Sequence, residues 1–162
     1  MRESRGLLVA AVALVMLLAA GVLAACGSDD EASAVASPSG DVVAVVNSEE
    51  QLSQFSQALD GAGLDGEGPY TVFAPSDTAV SAAAVTLDGD VVKASAVDGE
   101  NLTEADMAEG TKNDSMLEDN TIVTYTGTDG ALYVNDHKVV DGPLDADNGV
   151  VYIIDGVIQP KE

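Results

Sequence analysis

The chain has 162 residues, of which 46% are hydrophobic and only 4% aromatic, and its six basic side chains face 28 acidic ones for a formal net charge of −22. Carboxylates at that density must coat the surface, because an unpaired ion in a low-dielectric interior costs several kcal/mol or more, and such a coat repels nucleic acid and anionic head groups and so excludes nucleic acid as a partner. With no Trp in the chain, the core falls to Val, Ile, Leu and Ala, with Phe55, Phe73, Tyr70, Tyr125, Tyr133 and Tyr152 as its few large pieces.

Arg2 and Arg5 precede an uncharged apolar run over residues 6–25, and Cys26 follows at once, with Gly27, Ser28, Asp29 and Asp30 behind it. A charged start, an apolar centre and small residues at the end predict a secretory signal over residues 1–25. The alternative for the same run is an uncleaved membrane anchor, since about 18 or more apolar residues can cross a bilayer. Leu23-Ala24-Ala25-Cys26 resembles the lipobox of bacterial lipoproteins. That resemblance implies that the Cys26 thiol carries a diacylglyceryl group, that the bond before it is cut, and that the protein is held on the extracytoplasmic face of the cell membrane. A single exported Cys forms no internal disulfide, and acylation accounts for it. Two acyl chains, each contributing about 0.8 kcal/mol per buried methylene, anchor a protein stably. Setting the leader aside removes Arg2, Arg5 and Glu3, which leaves four basic against 27 acidic side chains. Residues 26–40 are small, acidic and without period, which predicts a flexible tether.

From residue 41 the pattern becomes that of a folded domain. Val42, Val43, Val45 and Val46 read as a short strand ending at Asn47 and Ser48. A helix is expected from Ser48, whose hydroxyl would accept from Gln51 as a capping box requires, with Leu52, Phe55, Ala58 and Leu59 on one face and Gly61 and Gly63 as its stop. Gly68-Pro69 marks a turn, 70–74 a buried strand that stops at Pro75, and Ser76 the cap of a second helix through Ala79, Val80 and Ala83. Over 85–119 no period persists, and Thr103-Glu104-Ala105-Asp106-Met107 is the one clear helical turn. The last third is a predicted meander: strands at 121–125, 131–134 and 138–140, a Gly-Thr-Asp-Gly turn at 127–130, and a turn at Asn135-Asp136. Val150 to Ile154 is an almost continuous apolar run, as in a strand buried on both faces.

Two segments carry a family likeness. Gly68-Pro69-Tyr70-Thr71-Val72-Phe73-Ala74-Pro75-Ser76-Asp77 resembles the first signature block of fasciclin domains. Asn148-Gly149-Val150-Val151-Tyr152-Ile153-Ile154-Asp155-Gly156-Val157-Ile158-Gln159-Pro160 resembles the second. The likeness covers residues 41–160, leaving 161–162 as a tail. Residues 98–107 are similar to the family segment that follows a Tyr-His dipeptide, but here Ala94 and Ser95 stand at that dipeptide's positions and the middle is shortened. The resemblance implies an α+β wedge of two β-sheets with short flanking helices, used by surface proteins for attachment. The signature residues it picks out are structural: Thr71, Val72, Phe73, Ala74, Pro75, Asp77, Asn148, Gly149, Ile154, Asp155, Gly156, Val157 and Pro160.

The chemistry offered by the residues is sparse. His137, the one histidine, falls in an exposed predicted turn with no thiol beyond Cys26, so neither a nucleophilic triad nor an imidazole-thiolate metal site is expected. Asp145, Asp147, Asn148 and Gly149 look like the opening of a calcium loop, but positions 6 and 12 of that loop would be Val150 and Gly156, so a solvated turn is expected. Asp77 is expected in a helical first turn, favoured by the dipole, and Asp155 at backbone groups beside the last strand. Asn101-Leu102-Thr103 and Asn113-Asp114-Ser115 read as a turn and a cap. No enzyme activity, cofactor or metal is expected. The leading function is adhesion or surface contact with an extracellular protein, matrix or polysaccharide. The rivals are a carrier of a small apolar ligand in a groove lined by Val123, Tyr125, Tyr133 and Tyr152, and a carboxylate hydrolase.

Overall fold

The computed structural model describes residues 40–59, 61–108 and 110–161. The expected leader, the expected acylation of Cys26 and the expected tether up to residue 39 lie outside the described residues.

The first helix, α1 (Val42–Ser48), occupies the segment expected to be a strand. Asp41 caps it by accepting from Ala44 N at 2.8 Å, and Val42, Val45 and Val46 bury a stripe at the i, i+3, i+4 spacing of a helix. Burial of a Val stabilises by about 1.5–3 kcal/mol, which outweighs the few tenths of a kcal/mol that β-branching costs in a helix. Ser48 therefore ends a helix rather than starting one, and its hydroxyl donates to Val45 O at 2.7 Å. After a short 3₁₀ turn over Glu50–Leu52, α2 (Ser53–Ala58) follows. The apolar face expected there is present, since Leu52, Phe55, Ala58 and Leu59 are all buried.

Strand β1 (Tyr70–Pro75) and α3 (Asp77–Ala83), capped by Ser76, match the expected boundaries closely. The stretch without a period resolves into α4 (Gly89–Ala94), β2 (Ala96–Asp98), α5 (Glu104–Ala108) and β3 (Lys112–Asp114). Asp88 caps α4 by accepting from the backbone N–H of both Asp90 and Val91. Asn113 and Asp114 are thus strand residues, paired with Ile122 and Thr121, and not a helix cap. Four strands close the chain: β4 (Thr121–Thr126), β5 (Leu132–Val134), β6 (His137–Ala146) and β7 (Gly149–Ile154). Strand β6 is far longer than the 138–140 expected, since irregular pairing at Asp141 lets it run on through Gly142 and Pro143.

The result is an α+β wedge with a seven-stranded mixed sheet in the order β2-β1-β7-β6-β5-β4-β3. The two sheets of the expectation join through β6, which pairs with β5 at its start and with β7 along its length. The two signature blocks, some eighty residues apart in sequence, lie side by side as the parallel pair β1 and β7, registered from Tyr70 on Gly149 to Pro75 on Ile154. Both strands are buried at every residue. Their alternation splits the core: Val72, Ala74, Val151 and Ile153 face the cluster built on α1 and α2, while Phe73, Val150, Tyr152 and Ile154 face the cluster that holds Leu102, Met107, Ile122 and Val134.

Candidate contact surface

The signature residues form the frame rather than a cleft. Thr71, wholly buried, donates through Oγ1 to Glu100 O (2.8 Å) and accepts from Leu102 N (2.9 Å), which pins the loop after β2. Asn148 accepts from Val42 N at 2.7 Å and donates to Leu64 O and Gly66 O at 3.3 and 2.8 Å, so one side chain ties α1, the 59–69 connection and β7 together. Gly149 is required because β1 runs so close that any Cβ there would collide with Tyr70 O. Val72, Phe73, Ala74 and Ile154 are core residues, Pro75 ends β1, Val157 packs with Val80 and Val91, and Pro160 is half-buried.

Asp77 has a second role that its helical position did not reveal. Its carboxylate accepts from Ser53 Oγ and, at 2.8 Å, from Gln54 N, so it caps α2 across the fold while sitting in the first turn of α3. Leu52, at the N-cap position itself, makes no side-chain capping bond. Asp155 accepts from Lys138 N at 2.7 Å. The two carboxylates have no partner in common. His137 begins β6 half-buried, in place of the exposed turn expected, with its ring lying against Gly156 where any side chain would strike it. Ala94 and Ser95, at the positions of the family's Tyr-His, are buried, and Ser95 Oγ donates to Val91 O and Val92 O.

Asp145 and Asp147 are exposed while Asn148 turns inward, so the three do not converge. No group of three or more His, Cys, Asp or Glu able to hold a metal occurs among the described residues. Every buried side-chain N or O among them has a hydrogen-bond partner. No described helix is long and apolar enough to cross a membrane.

The aromatic residues divide in a way composition could not reveal. Tyr152 is buried, stacks on Phe73 with centroids 5.9 Å apart and donates to Leu102 O at 2.9 Å. Burial, reinforced by Glu104, Asp145 and Asp106, pushes its phenol up to about 12. It therefore lines no groove with Tyr125 and Tyr133, and the carrier reading loses one of its walls. Tyr125 and Tyr133 are not core pieces. In β4 it is Ile122 and Thr124 that face inward, so Val123 and Tyr125 face out, and Tyr133 sits directly opposite Tyr125 on β5.

The two outer rings stack at 5.5 Å and 10°. Tyr125 donates to Asp136 Oδ1 at 3.0 Å and Tyr133 to Asp129 Oδ2 at 3.1 Å, and these hydrogen bonds are the leading cause that holds both phenols above their usual range. Asp129 is lowered, first by the Ala131 N–H and further by the Tyr133 hydroxyl and Lys138. Lys138 stands opposite Tyr133 in the ladder, with Nζ 3.6 Å from Asp129, and Lys112 stands opposite Val123. Beside Tyr125 lies an open depression of about 550 Å³ whose rim includes Lys112 and Lys161. Three of the chain's four lysines thus share one face with the half-buried aromatic pair. Alternation along β4 and β5 was legible in the sequence and could have placed the tyrosines outside; the pairing that brings the lysines beside them was not.

The fold and its signature pair define an α+β wedge of the fasciclin type. The fasciclin domain family model matches residues 50–160, and the chain belongs to that family. Protein sll1483 of Synechocystis is 28% identical over 131 residues, which span 74% of this chain and 73% of that protein. The structure of a FAS1 domain pair from the insect cell adhesion molecule fasciclin I matches with a TM-score of 0.63 at 12% identity. It covers 75% of this chain and 51% of that one, about half of the two-domain structure.

Proposed function

We propose that the chain is a lipid-anchored adhesion module on the extracytoplasmic face of a bacterial membrane, and that it makes contact through the outer face of its C-terminal meander. The observation that carries the reading is the half-buried Tyr125–Tyr133 stack on the outer face of the meander, flanked by Lys112, Lys138 and Lys161 on an otherwise acidic molecule. Aromatic side chains supply large, stiff contact area at low entropic cost, and Tyr is enriched in the centres of binding surfaces. Among the described residues, His137 lies against Gly156, and the carboxylates of Asp77 and Asp155 are engaged with backbone groups. The partner class is an extracellular protein, matrix component or polysaccharide, with the acyl chains on Cys26 as the membrane link.

Two observations test this reading. Cells lacking the chain should attach less to protein, matrix or polysaccharide surfaces, and unchanged attachment on all three contradicts it. Fatty-acid labelling should mark the wild type and not Cys26→Ser, and an unlabelled wild type removes the anchor.

A further inference from the structure

Resting on that adhesion reading, we propose that the depression beside Tyr125 binds a uronic acid residue of a carboxylate-bearing polysaccharide. Its chemistry is compact: Val123 and the Tyr125 ring supply apolar wall, Lys112 and Lys161 supply cations, and Asp136 and Gln159 supply polar contacts. A volume of about 550 Å³ lies within the roughly 300–1,000 Å³ of small-molecule sites. The Tyr125 hydroxyl is tied to Asp136, so the ring is held in place before any ligand arrives. A sugar presents slightly positive C–H bonds on one face of its ring, and these meet the negative face of an aromatic ring favourably.

The lysines choose among sugars. A neutral sugar requires no cation, whereas the two ammonium groups in the lining, set against the one carboxylate of Asp136 that already accepts from the Tyr125 hydroxyl, complement a carboxylate. The acidic coat narrows the class further. Double-stranded nucleic acid carries a charge every ~1.7 Å, and its binding depends on many lysine and arginine contacts that this chain lacks. A uronate polymer carries at most one charge per sugar. Screening over about 8 Å at physiological ionic strength lets the two lysines, which outnumber Asp136 in the lining, act against the rest of the acidic surface. A folded protein partner would have to bury about 800 Å² on each side, far more than one depression provides.

The test titrates the full chain in detergent, with EDTA present, with oligogalacturonate, a neutral galactose oligomer and a single-stranded DNA oligomer. Oligogalacturonate should bind saturably and more tightly than the other two, weaken in 0.5 M salt, and lose at least tenfold in affinity with Lys112→Gln plus Lys161→Gln. Tyr125→Leu should weaken it by a similar factor. No saturable binding of oligogalacturonate, equal affinity for the neutral oligomer, tighter binding of DNA, or indifference to the lysine pair each overturns the inference. If cells expressing the chain still attach through it in that event, the adhesion reading stands without the uronate site. If attachment is also independent of the chain, both fall.

Discussion

The molecule contains two aromatic pairs of nearly the same geometry and opposite use. Phe73 and Tyr152, 5.9 Å apart, lie on the central parallel strands with no access to water, and the Tyr152 hydroxyl is spent on a backbone carbonyl. Tyr125 and Tyr133, 5.5 Å apart, lie on the outer face of an antiparallel hairpin, and their hydroxyls are held by carboxylates at the surface. Alternation along the strands decides which is which. On β1 and β7 both faces are covered, so every side chain is core; on β4 and β5 one face is covered, so every second residue is free to meet a partner. The first pair belongs to the scaffold that the family signature encodes. The second lies outside both signature blocks.

The sharpest way to break this division is at Asn148. Asn148→Ala removes the partner of Val42 N, Leu64 O and Gly66 O at once, and each orphaned group that stays buried costs about 1–3 kcal/mol. A fall of several degrees or more in the thermal midpoint is expected, with early loss of α1 by hydrogen exchange. A variant as stable as the wild type would show that the amide is not the clamp described.

The capping link between helices should come next. Asp77→Ala should cost about 1 kcal/mol, within the ~0.5–2 of helix caps, while Asp77→Asn should retain most of it because an amide oxygen also accepts from Gln54 N. Urea unfolding distinguishes the two, and equal losses would point to charge rather than capping.

At alkaline pH the buried pair should reveal itself. Tyr152 is raised to about 12, so between the ordinary phenol value near 10 and 12 the native state holds a proton that the unfolded chain has released. Its stabilising effect is complete below pH ~10 and falls as pH climbs through that window. Tyr152→Phe should cost about 1 kcal/mol at neutral pH through the lost bond to Leu102 O, and should flatten the alkaline decline measured by urea midpoints. An unchanged alkaline slope would assign the decline to other groups.

Sequence reading reached the parts of this fold governed by local rules. Pro75 and Ser76 mark the change from β1 to α3, and the continuous run from Val150 to Ile154 is indeed a strand buried on both faces. It failed where tertiary burial overrode local preference, as in α1, where valines suited to a strand were recruited into a helix by their spacing. It also failed where a group acts across the fold: the capping of α2 by Asp77 and the three-way clamp of Asn148 have no signature in the neighbouring residues. The candidate contact face was half legible. Alternation offered Tyr125 and Tyr133 as outward residues, but composition alone placed them in the core, and the lysines reach them only through strand pairing.

The most direct test of the division compares Tyr125→Ser plus Tyr133→Ser with the wild type in both attachment and thermal midpoint. The account predicts attachment reduced at least tenfold with a stability loss of no more than about 1 kcal/mol, the scale of one cross-strand aromatic pair. Attachment kept intact by a folded double variant would contradict it, and would move the contact surface away from the meander.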